Sequence, residues 1–513
     1  MKKAAEIMSV INPTKKTGAV PASVSAIVYD SRSVSPGSAF FAIRGAHYDG
    51  HAFIGDAVER GASLIVHDAE IPQTIKRNKK AAFFARVDDS RRALSAAAAE
   101  FYGHPSRTLR VIGVTGTDGK STTVYFAHQL LEAAGEKSGF FSTVAAQTRD
   151  TVEPNTLRQS TPEAPAIHAA LAEMVAAGKT AAVLEATSHG LSLKTARLAD
   201  VSFYGSVFTN LTHEHIEFHG SFDAYRNDKS NLFRAMDADP RSGAFGVVNA
   251  DDPNAEHFAG LTKRRVMTYG TELGGDLTAG MLEPDMTGTA FVLRFGAHSI
   301  HARIPVVGVF NVENALAALA AAACLLDVDP IDLAPYLERL VPVEGRMARI
   351  GAVDLPINVI VDYAHTPGSF RRLFPIIRDY TNGRVIAVFG SAGERDIEKR
   401  PMQGRIAAQW SDIIILADED PRDESRLSIL NQIAEGCRES RPEWRDGVEL
   451  AIIPDRSEAI HRAVKIAKPG DTVLLLGKGH EKSLITPMGS QPWNEAEVAR
   501  AALRAAGYPV DDE

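Results

Sequence analysis

The sequence has little cysteine, and this bounds its class. Its 513 residues include only 2 cysteines, Cys324 and Cys437, which lie far apart along the chain. Two distant cysteines supply neither a disulfide framework nor a cysteine-based metal site. We therefore interpret both as buried thiols of a protein that works in a reducing compartment.

Long apolar runs are also missing. The longest run, residues 315–326, is shorter than the roughly 20 residues that a transmembrane helix needs, so we predict a buried helix there. The N-terminus carries Lys2, Lys3 and Glu6 without a sustained apolar stretch, and we expect no signal peptide. Both features predict a cytoplasmic protein without membrane insertion.

Net positive charge is the third absence. The formal net charge is −8 at pH 7, which argues against a nucleic-acid-binding surface. The hydrophobic fraction of 45% and the charged fraction of 23% are typical of soluble globular proteins. At this length we expect about three domains.

Residues 111–123, V-I-G-V-T-G-T-D-G-K-S-T-T, are the most informative stretch that is present. An apolar run, two glycines, a Lys-Ser pair and a helical pattern follow one another, which is the layout of a phosphate-binding loop. Lys120 would meet the phosphate charge, and the Ser121 hydroxyl would hold Mg²⁺. Val114 replaces the first glycine of G-x-x-x-x-G-K-[ST], so the match is imperfect.

Strand-like and helical patterns predict an α/β protein of three domains. Residues 1–105 form a small N-terminal α/β domain, 106–342 a central domain with a P-loop-type parallel sheet, and 343–513 a C-terminal doubly wound α/β domain. Residues 275–305 alternate apolar and polar side chains, and we expect a small antiparallel insertion there.

Polar clusters follow several strands, where ligands bind in parallel sheets. In the central domain, Glu185 and His215 end two such strands and supply the oxygen and imidazole ligands that could hold Mg²⁺ against phosphates. Zinc is the rival metal for His213, His215 and His219. The oxygen-rich surroundings favour magnesium.

In the third domain, Arg395, Arg422 and Glu481 come from three loops at one edge of the predicted sheet. Arginine pairs with carboxylates, and glutamate pairs with ammonium groups. Together these residues suit an amino acid as substrate. Solvated surface loops are the alternative interpretation.

The ordered motifs of the chain resemble those of the Mur ligase family. The resemblance runs almost from end to end. The motifs are D-S-R with a following P-G at 30–37, G-T-D-G-K-S-T-T at 116–123, S-T-P-E-A-P at 160–165, E-A-T-S-H-G-L at 185–191, F-T-N-L-T-H-E-H at 208–215, A-Y-R-N-D-K-S-N-L-F at 224–233, F-N-V-E-N-A-L-A-A at 310–318, G-R-M at 345–347, D-Y-A-H-T-P at 362–367, G-E-R-D at 393–396, D-P-R at 420–422 and G-K-G-H-E at 477–481. It is greatest with the members that add the third residue of the peptidoglycan stem peptide.

The resemblance implies an ADP-forming amide ligase of peptidoglycan synthesis. ATP would phosphorylate the D-glutamate carboxylate of UDP-N-acetylmuramoyl-L-alanyl-D-glutamate. The amine of meso-diaminopimelate, L-lysine or L-ornithine would then attack the acyl phosphate. The implied partners are these small molecules alone, and we expect a monomer.

The resemblance also implies roles for individual residues. Lys120, Lys229 and His215 would be catalytic. ATP would contact Gly116, Thr117, Asp118, Gly119, Lys120, Ser121, Thr122, Asn314, Arg346 and Asp362. Magnesium would bind Ser121, Glu185, His215 and Lys229, the last as a CO₂-derived carbamate. Ser31 would contact the uridine nucleotide, and Ser160, Thr161 and Thr187 the muramoyl peptide. The amino acid would contact Arg395, Glu419, Asp420, Pro421, Arg422, Gly477 and Glu481.

Two departures from the family pattern leave alternatives open. Either Lys194 or Arg197 could replace the basic residue that follows Leu191 in the family. Members that add meso-diaminopimelate usually have D-N-P-R, whereas this chain has Asp420 in place of the asparagine. The extra negative charge should favour an ammonium over a carboxylate, so lysine and ornithine stay alternatives to diaminopimelate.

Two rival functions differ from this one. The first is another ATP-dependent ligase of the superfamily, such as a folylpolyglutamate synthase. The second is a nucleotide-binding scaffold subunit without catalysis. The retained Lys120, Glu185, His215 and Lys229 argue against the scaffold.

Overall fold

Three main β-sheets, each flanked by helices, organise the protein. The computed structural model describes residues 1–45, 48–71, 82–155, 157, 159–212, 216–352 and 354–510. These residues form two compact units: the first comprises Met1–Gly280, Leu293–Ile300 and Glu313–Leu337, and the second Met281–Val292, His301–Val312 and Glu338–Glu513. The predicted boundaries at 105 and 342 stay predictions.

The first sheet lies in the N-terminal segment and has five strands. In spatial order these are Lys15–Thr17, Phe83–Arg86, Leu64–His67, Ala39–Phe41 and Ile27–Val28. Helices Ala4–Ile11 and Ser90–Phe101 pack on one face, and Ile54–Glu59 on the other. Apolar side chains alternate between both faces, because successive strand residues point to opposite sides.

The second sheet is the central one and is mainly parallel. In spatial order its strands are Glu153–Pro154, Ala145–Gln147, Ser138–Phe141, Ala181–Glu185, Arg110–Thr115, Gly205–Phe208, Phe245–Asn249 and Arg265–Gly270. Strand Arg110–Thr115 pairs in parallel with 181–185 on one side and 205–208 on the other. The three loops that follow these strands therefore meet at one edge.

Three further strands, Leu277–Asp285, Gly288–Phe295 and His298–Ile304, continue this sheet. They match the insertion expected at 275–305. Only two residues connect each strand to the next, which requires antiparallel pairing.

Helices on the central sheet position its loops. They are Lys120–Ala133, Ala164–Ala176, Phe222–Asp237 and Val309–Leu326. The 18-residue helix Val309–Leu326 includes the predicted run at 315–326 and begins before it, and it is long and apolar enough to cross a membrane by length and composition alone. However, 78% of that window is buried inside the protein, as in the core helix of a globular domain.

The third sheet has six strands. In spatial order they are Ala348–Arg349, Asn358–Asp362, Thr472–Leu476, Val385–Phe389, Ile413–Leu416 and Leu450–Ile452. All pairs are parallel except that of the short edge strand 348–349. Helices Pro367–Tyr380, Lys399–Trp410 and Arg426–Ser440 cover one face, and Arg456–Ile466 and Glu495–Ala505 the other. This confirms the predicted doubly wound sheet.

Candidate active site

The loop at residues 116–119 is shaped by two glycines between strand 110–115 and helix 120–133. Gly116 has φ 153° and Gly119 has φ 80°. A Cβ atom at Gly116 would lie 1.9 Å from Thr209 Oγ1, and one at Gly119 would lie 2.1 Å from Asn314 Oδ1. Neither position therefore accepts a side chain without rearrangement.

The residues just after strand 205–208 hold this loop in place. Thr117 N donates to Asn210 O over 2.8 Å, and Asp118 N donates to the Asn210 side-chain oxygen over 2.9 Å. Lys120 Nζ turns back over the loop and donates to Thr117 O over 2.7 Å. The loop thus has the backbone of a phosphate-binding site at the N-terminus of a 14-residue helix.

Glu185 ends its strand next to Ser121, and the two are hydrogen-bonded. Ser121 Oγ donates to Glu185 Oε2 over 2.7 Å, and both residues are buried. Thr143 donates to the same oxygen from its backbone N and its hydroxyl, each over 2.9 Å. A hydroxyl beside a carboxylate is the oxygen donor set that Mg²⁺ prefers, so these residues fit the ion.

A cavity of about 250 Å³ lies beside the loop. Its lining combines Lys120 with three residues expected to contact the muramoyl peptide, Ser160, Thr161 and Thr187. Thr161 Oγ1 donates to Glu185 O over 2.8 Å and accepts from Thr187 N over 3.1 Å. The structure therefore brings phosphate-site and peptide-site candidates to one cavity.

Lys229 and Tyr225 reach the cavity from helix 222–237, where they are four residues apart and share a face. Lys229 is 1% exposed, and its Nζ donates to Gly116 O over 2.5 Å. The Tyr225 hydroxyl lies 3.1 Å from Thr117 Oγ1. This helix therefore contacts the phosphate-binding loop directly.

Arg197, rather than Lys194, lines the cavity. Its guanidinium donates to Thr161 O over 2.8 Å and pairs with Glu163 at 3.0 Å. Lys194 is exposed and places its Nζ 5.8 Å from the ring centre of Phe218. Of the two candidates that the sequence left open, geometry favours Arg197.

Of the other predicted nucleotide contacts in the first unit, Asn314 and Thr122 lie close to the phosphate-binding loop, whereas Ser31 does not line the cavity. Asn314 is buried, and Thr123 Oγ1 donates to its side-chain oxygen over 3.4 Å. Thr122 is buried on the same helix as Lys120. Ser31 lies in the turn Ser31–Ser33 of the N-terminal segment and does not line this cavity.

His215, predicted to be catalytic and to bind metal, lies outside the described residues together with His213 and Glu214. His219 is described and buried, and its two ring nitrogens lie 2.8 Å from Asp228 Oδ2 and 3.0 Å from Ser188 Oγ. Both nitrogens are thus engaged, which argues against the zinc alternative. Among the described residues, no group of three or more His, Cys, Asp or Glu side chains is arranged around a metal position.

In the second unit, Asp362 ends its strand and organises two loops. Its carboxylate accepts from Met347 N over 2.8 Å and from Ala364 N over 2.7 Å. Desolvation raises its pKa, and the nearby Arg346 offsets part of that effect. Arg346 places its guanidinium 4.8 Å from the ring centre of Tyr363. The two predicted nucleotide contacts are therefore neighbours.

Asp420 is paired with a lysine that the sequence interpretation left out. Lys478 is fully buried, and its Nζ donates to Asp420 Oδ1 over 2.8 Å and to Glu481 Oε2 over 2.7 Å. The charge of Asp420 is thus offset inside the protein. The sequence analysis expects the extra charge of Asp420 to favour an ammonium group. Because Lys478 pairs with that charge, the attraction of Asp420 for an ammonium group is weaker than expected.

Glu419 and Gly477 are in contact. Glu419 is 6% exposed, and its Oε2 has no hydrogen-bond partner among the described residues. A Cβ at Gly477, where φ is 100°, would lie 2.8 Å from that oxygen. An unpaired buried carboxylate oxygen is costly, so it suits an incoming ammonium group.

The arginines at this edge differ in exposure. Arg422 adopts a left-handed φ of 55°, and its buried Nε has no hydrogen-bond partner among the described residues. Arg395 is exposed. Pro421 is buried, and its carbonyl oxygen lies 2.0 Å from where a Cβ at Gly393 would stand. The strands that precede these loops are neighbours in the sheet, so the loops lie at neighbouring strand ends, as expected.

Sequence reasoning missed several residues of these sites. Thr143, Tyr225 and Lys478 were not assigned a role, although each contacts an assigned residue. The strand-end position of Lys478, within G-K-G-H-E, was the available signal for one of them.

Comparison with known proteins gives the family. Three family models match: "Mur ligase family, catalytic domain" over residues 23–102, "Mur ligase middle domain" over 114–322 and "Mur ligase, glutamate ligase domain" over 345–479. The UDP-N-acetylmuramyl-tripeptide synthetase of Treponema denticola is 43% identical, with 98% of each chain covered. The enzyme of the same name from a Roseiflexus species is 46% identical, covering 94% of this chain and 95% of the relative.

A solved structure agrees in fold. It is a UDP-N-acetylmuramoyl-L-alanyl-D-glutamate–2,6-diaminopimelate ligase, with a TM-score of 0.66, 26% identity and coverage of 99% of this chain and 100% of that one. These matches confirm the resemblance and the three-domain α/β architecture inferred from the sequence. The chain belongs to the Mur ligase family and is a ligase.

Proposed function

We propose that the protein is an ATP-dependent ligase of peptidoglycan synthesis that adds a diamino acid to UDP-N-acetylmuramoyl-L-alanyl-D-glutamate. The observation that carries this proposal is the cavity beside the phosphate-binding loop. It is lined by Lys120 on one side and by Ser160, Thr161 and Thr187 on the other. A carboxylate held by the second group would lie beside a phosphoryl group held by the first.

The residues of this chain act mainly by positioning and by charge. Lys120 and the N–H groups of residues 116–122 bind the ATP phosphates, while Asn314, Arg346 and Asp362 bind the rest of the nucleotide. Arg197 and Thr187 orient the peptide so that its carboxylate oxygen attacks the terminal phosphorus and ADP leaves. The amine then attacks the acyl carbon, and phosphate departs.

Ser121, Glu185, His215 and Lys229 are the proposed magnesium ligands. Magnesium would supply positive charge that neutralises the phosphate oxygens. Lys229 serves as a ligand only as a carbamate, which replaces its cation by an anionic oxygen donor. Its burial beside Gly116 O, which keeps it at the loop, supports this role. Removal of bicarbonate should therefore lower activity, and added bicarbonate should restore it.

The diamino acid binds at the strand ends of the C-terminal sheet. Glu419 and Glu481 face its ammonium groups, and Arg395 and Arg422 face its carboxylate. Asp420, Pro421 and Gly477 shape this loop cluster. Ser31 of the N-terminal segment contacts the uridine nucleotide. We further propose that the protein works as a cytoplasmic monomer on these small molecules.

The test is product formation with purified protein. ATP, Mg²⁺ and UDP-N-acetylmuramoyl-L-alanyl-D-glutamate are combined with meso-diaminopimelate, L-lysine or L-ornithine in separate reactions. We expect ADP and a muramoyl tripeptide with one of the three, identified by its mass. ATP binding without product in all three reactions would favour the scaffold. A fourth reaction contains ATP, Mg²⁺, a folate and L-glutamate, and product there would favour the folylpolyglutamate synthase.

A further inference from the structure

Ser188, His219 and Asp228 form a hydrogen-bonded chain at the cavity, and none of them has a role in the function proposed above. His219 Nδ1 lies 2.8 Å from Asp228 Oδ2, and His219 Nε2 lies 3.0 Å from Ser188 Oγ. Ser188 lines the cavity with Lys120 and Thr187. The chain therefore runs from the cavity wall into the protein.

Three elements build this arrangement. Asp228 lies on helix Phe222–Asp237, one residue before Lys229. His219 ends the short helix Ile216–His219, and Ser188 begins the helix Ser188–Leu191 after strand 181–185. Ser188 is 2% exposed and His219 is 5% exposed. Burial and two hydrogen bonds fix the ring of His219 in one orientation.

The carboxylate partner decides which ring nitrogen carries the proton. Asp228 can only accept, so Nδ1 of neutral His219 donates to it. Nε2 is then an acceptor, and the Ser188 hydroxyl donates to it. The remaining lone pairs of Ser188 Oγ can only accept a hydrogen bond from a group in the cavity.

The surroundings keep His219 neutral. Burial is the main cause and lowers its pKa, whereas the hydrogen bond to Asp228 raises it in part. The rings of His189, Tyr225 and Phe218 also face it, with centroids 5.4, 5.1 and 4.8 Å away. A neutral imidazole hydrogen-bonded to a carboxylate has the capacity to take up a proton.

The proposed reaction needs such a proton acceptor. When a neutral amine attacks the acyl phosphate carbon, a C–N bond forms and the nitrogen becomes positively charged. That nitrogen must lose one proton before the C–O bond to phosphate breaks with its electron pair on the phosphate. None of the residues assigned above accepts this proton.

We propose that Ser188, positioned by His219 and Asp228, accepts the proton of the attacking amine while its own hydroxyl proton passes to His219 Nε2. The resulting imidazolium is stabilised by Asp228 and returns its proton to solvent after the product leaves. In this proposal Ser188 is the catalytic residue, because its hydroxyl oxygen accepts the proton of the attacking amine. His219 and Asp228 are positioning residues that act through it. This inference rests on the ligase function proposed above.

The test separates the two half-reactions in His219→Gln, with wild-type protein alongside. Formation of the acyl phosphate requires no amine. It can be followed by trapping with hydroxylamine, whose nitrogen releases its proton to water more readily than an alkylamine after attack. We expect the kcat for the diamino acid to fall on the order of 10²-fold. The hydroxamate rate and the KM values for ATP and dipeptide should stay within about threefold.

Further variants guard against a folding defect. Ser188→Ala removes one oxygen and should show the same split, and Ser188→Thr, which keeps the hydroxyl, should recover part of the amide rate. His128→Gln is the matched control, because His128 is also buried between a serine and a second polar side chain, Ser138 and Gln147, at 2.7 and 2.8 Å. It should leave both rates unchanged.

The outcomes are distinguishable. Equal losses of amide and hydroxamate formation in His219→Gln and Ser188→Ala would overturn the relay and indicate a structural role. Unchanged amide formation in both would overturn it as well. If wild-type protein forms neither product, the proposed ligase function itself fails, before any variant is compared.

Discussion

The central and C-terminal sheets each bring polar loops together at the carboxyl ends of parallel strands. The two sites differ in whether their buried polar side chains have hydrogen-bond partners. In the central site, Glu185 accepts from Ser121 and Thr143, and Lys229 donates to the Gly116 carbonyl. At the C-terminal edge, Glu419 Oε2 and Arg422 Nε are buried without a partner among the described residues. The central groups named here have hydrogen-bond partners within the protein, whereas these two C-terminal atoms have none among the described residues.

This difference has an energetic meaning. A buried polar atom left without a partner costs about 1–3 kcal/mol. At the C-terminal edge this cost falls on Glu419 Oε2 and Arg422 Nε. A zwitterionic amino acid would supply a donor for the first atom and an acceptor for the second. We infer that the central site is arranged before its substrates bind, whereas the C-terminal site is completed by the amino acid.

The largest expected effect comes from the central site. Lys120→Ala removes the cation that bonds to Thr117 O and lines the cavity, so ADP formation should fall on the order of 10³-fold. Steady-state ADP release measures this loss. Lys263→Ala changes an exposed lysine of the same unit and is the control. More than a tenth of wild-type activity in Lys120→Ala would contradict the assignment.

The second prediction concerns the metal. Glu185→Gln keeps an oxygen that can accept from Ser121 and Thr143 but removes the negative charge. The rate at a fixed low Mg²⁺ concentration should fall about 10²-fold and recover partly as Mg²⁺ is raised. Titration of activity with Mg²⁺ measures both effects. Glu173→Gln, which changes a carboxylate paired with Arg149 outside the cavity lining, should leave the titration unchanged.

The third prediction moves to the C-terminal edge. Asp420→Asn leaves the buried Lys478 with Glu481 as its carboxylate partner, so the cluster gains net positive charge. The KM for L-lysine should rise roughly tenfold relative to that for meso-diaminopimelate, a difference of about 1.4 kcal/mol. ATP-dependent hydroxamate formation should not change.

A matched variant sharpens this prediction. Asp446→Asn changes an aspartate in an exposed ion pair with Arg438 and should leave the ratio of the two KM values as it is. An unchanged ratio in Asp420→Asn would mean that the amino acid does not sense the charge of this cluster.

The smallest expected effect is on stability at acid pH. Arg400 is fully buried, and its hydrogen bonds lower the pKa of Glu424 from 4.5 to about 2. Because the folded pKa is depressed, this pair stabilises the fold above the unfolded pKa near 4.5, and the contribution disappears as pH falls toward 2. Glu424 is partly exposed, which weakens the effect.

Thermal unfolding against pH tests this. Glu424→Gln should lower the Tm at neutral pH by roughly 2–4 °C and flatten the decline between pH 4.5 and 2. Glu449→Gln is the control variant. It should lower the Tm less than Glu424→Gln does, because Glu449 pairs with the exposed Arg445. A parallel pH dependence in wild-type and Glu424→Gln proteins would contradict the assignment.

The ends of strands could be predicted from the sequence more reliably than the hydrogen-bond partners of the site residues. Apolar runs of the sequence coincide with strands Arg110–Thr115, Val385–Phe389 and Thr472–Leu476, because buried parallel strands are continuously apolar. Strand Ser138–Phe141 was missed, since its Ser-Gly start and short length give little periodic signal. The N-terminal helix Ala4–Ile11 was missed as well.

The candidate site shows the same limit. The motifs assigned Lys120, Thr161 and Thr187, and the cavity brings them together. The partner of Asp420 could not be read off, because Lys478 is 58 residues away and only the folded sheet brings the two loops into contact. The chain Ser188–His219–Asp228 spans three elements for the same reason. His215 lies outside the described residues, so its role stays a prediction.

The difference between the two sites is tested most directly by rapid-quench measurement of ADP without any amino acid. Wild-type protein is mixed with ATP, Mg²⁺ and UDP-N-acetylmuramoyl-L-alanyl-D-glutamate, and the diamino acid is added later. We predict a burst of about one ADP per protein, followed by sustained turnover only after the amino acid is added. No ADP before that addition would contradict an arranged central site and show that the amino acid is needed to assemble it.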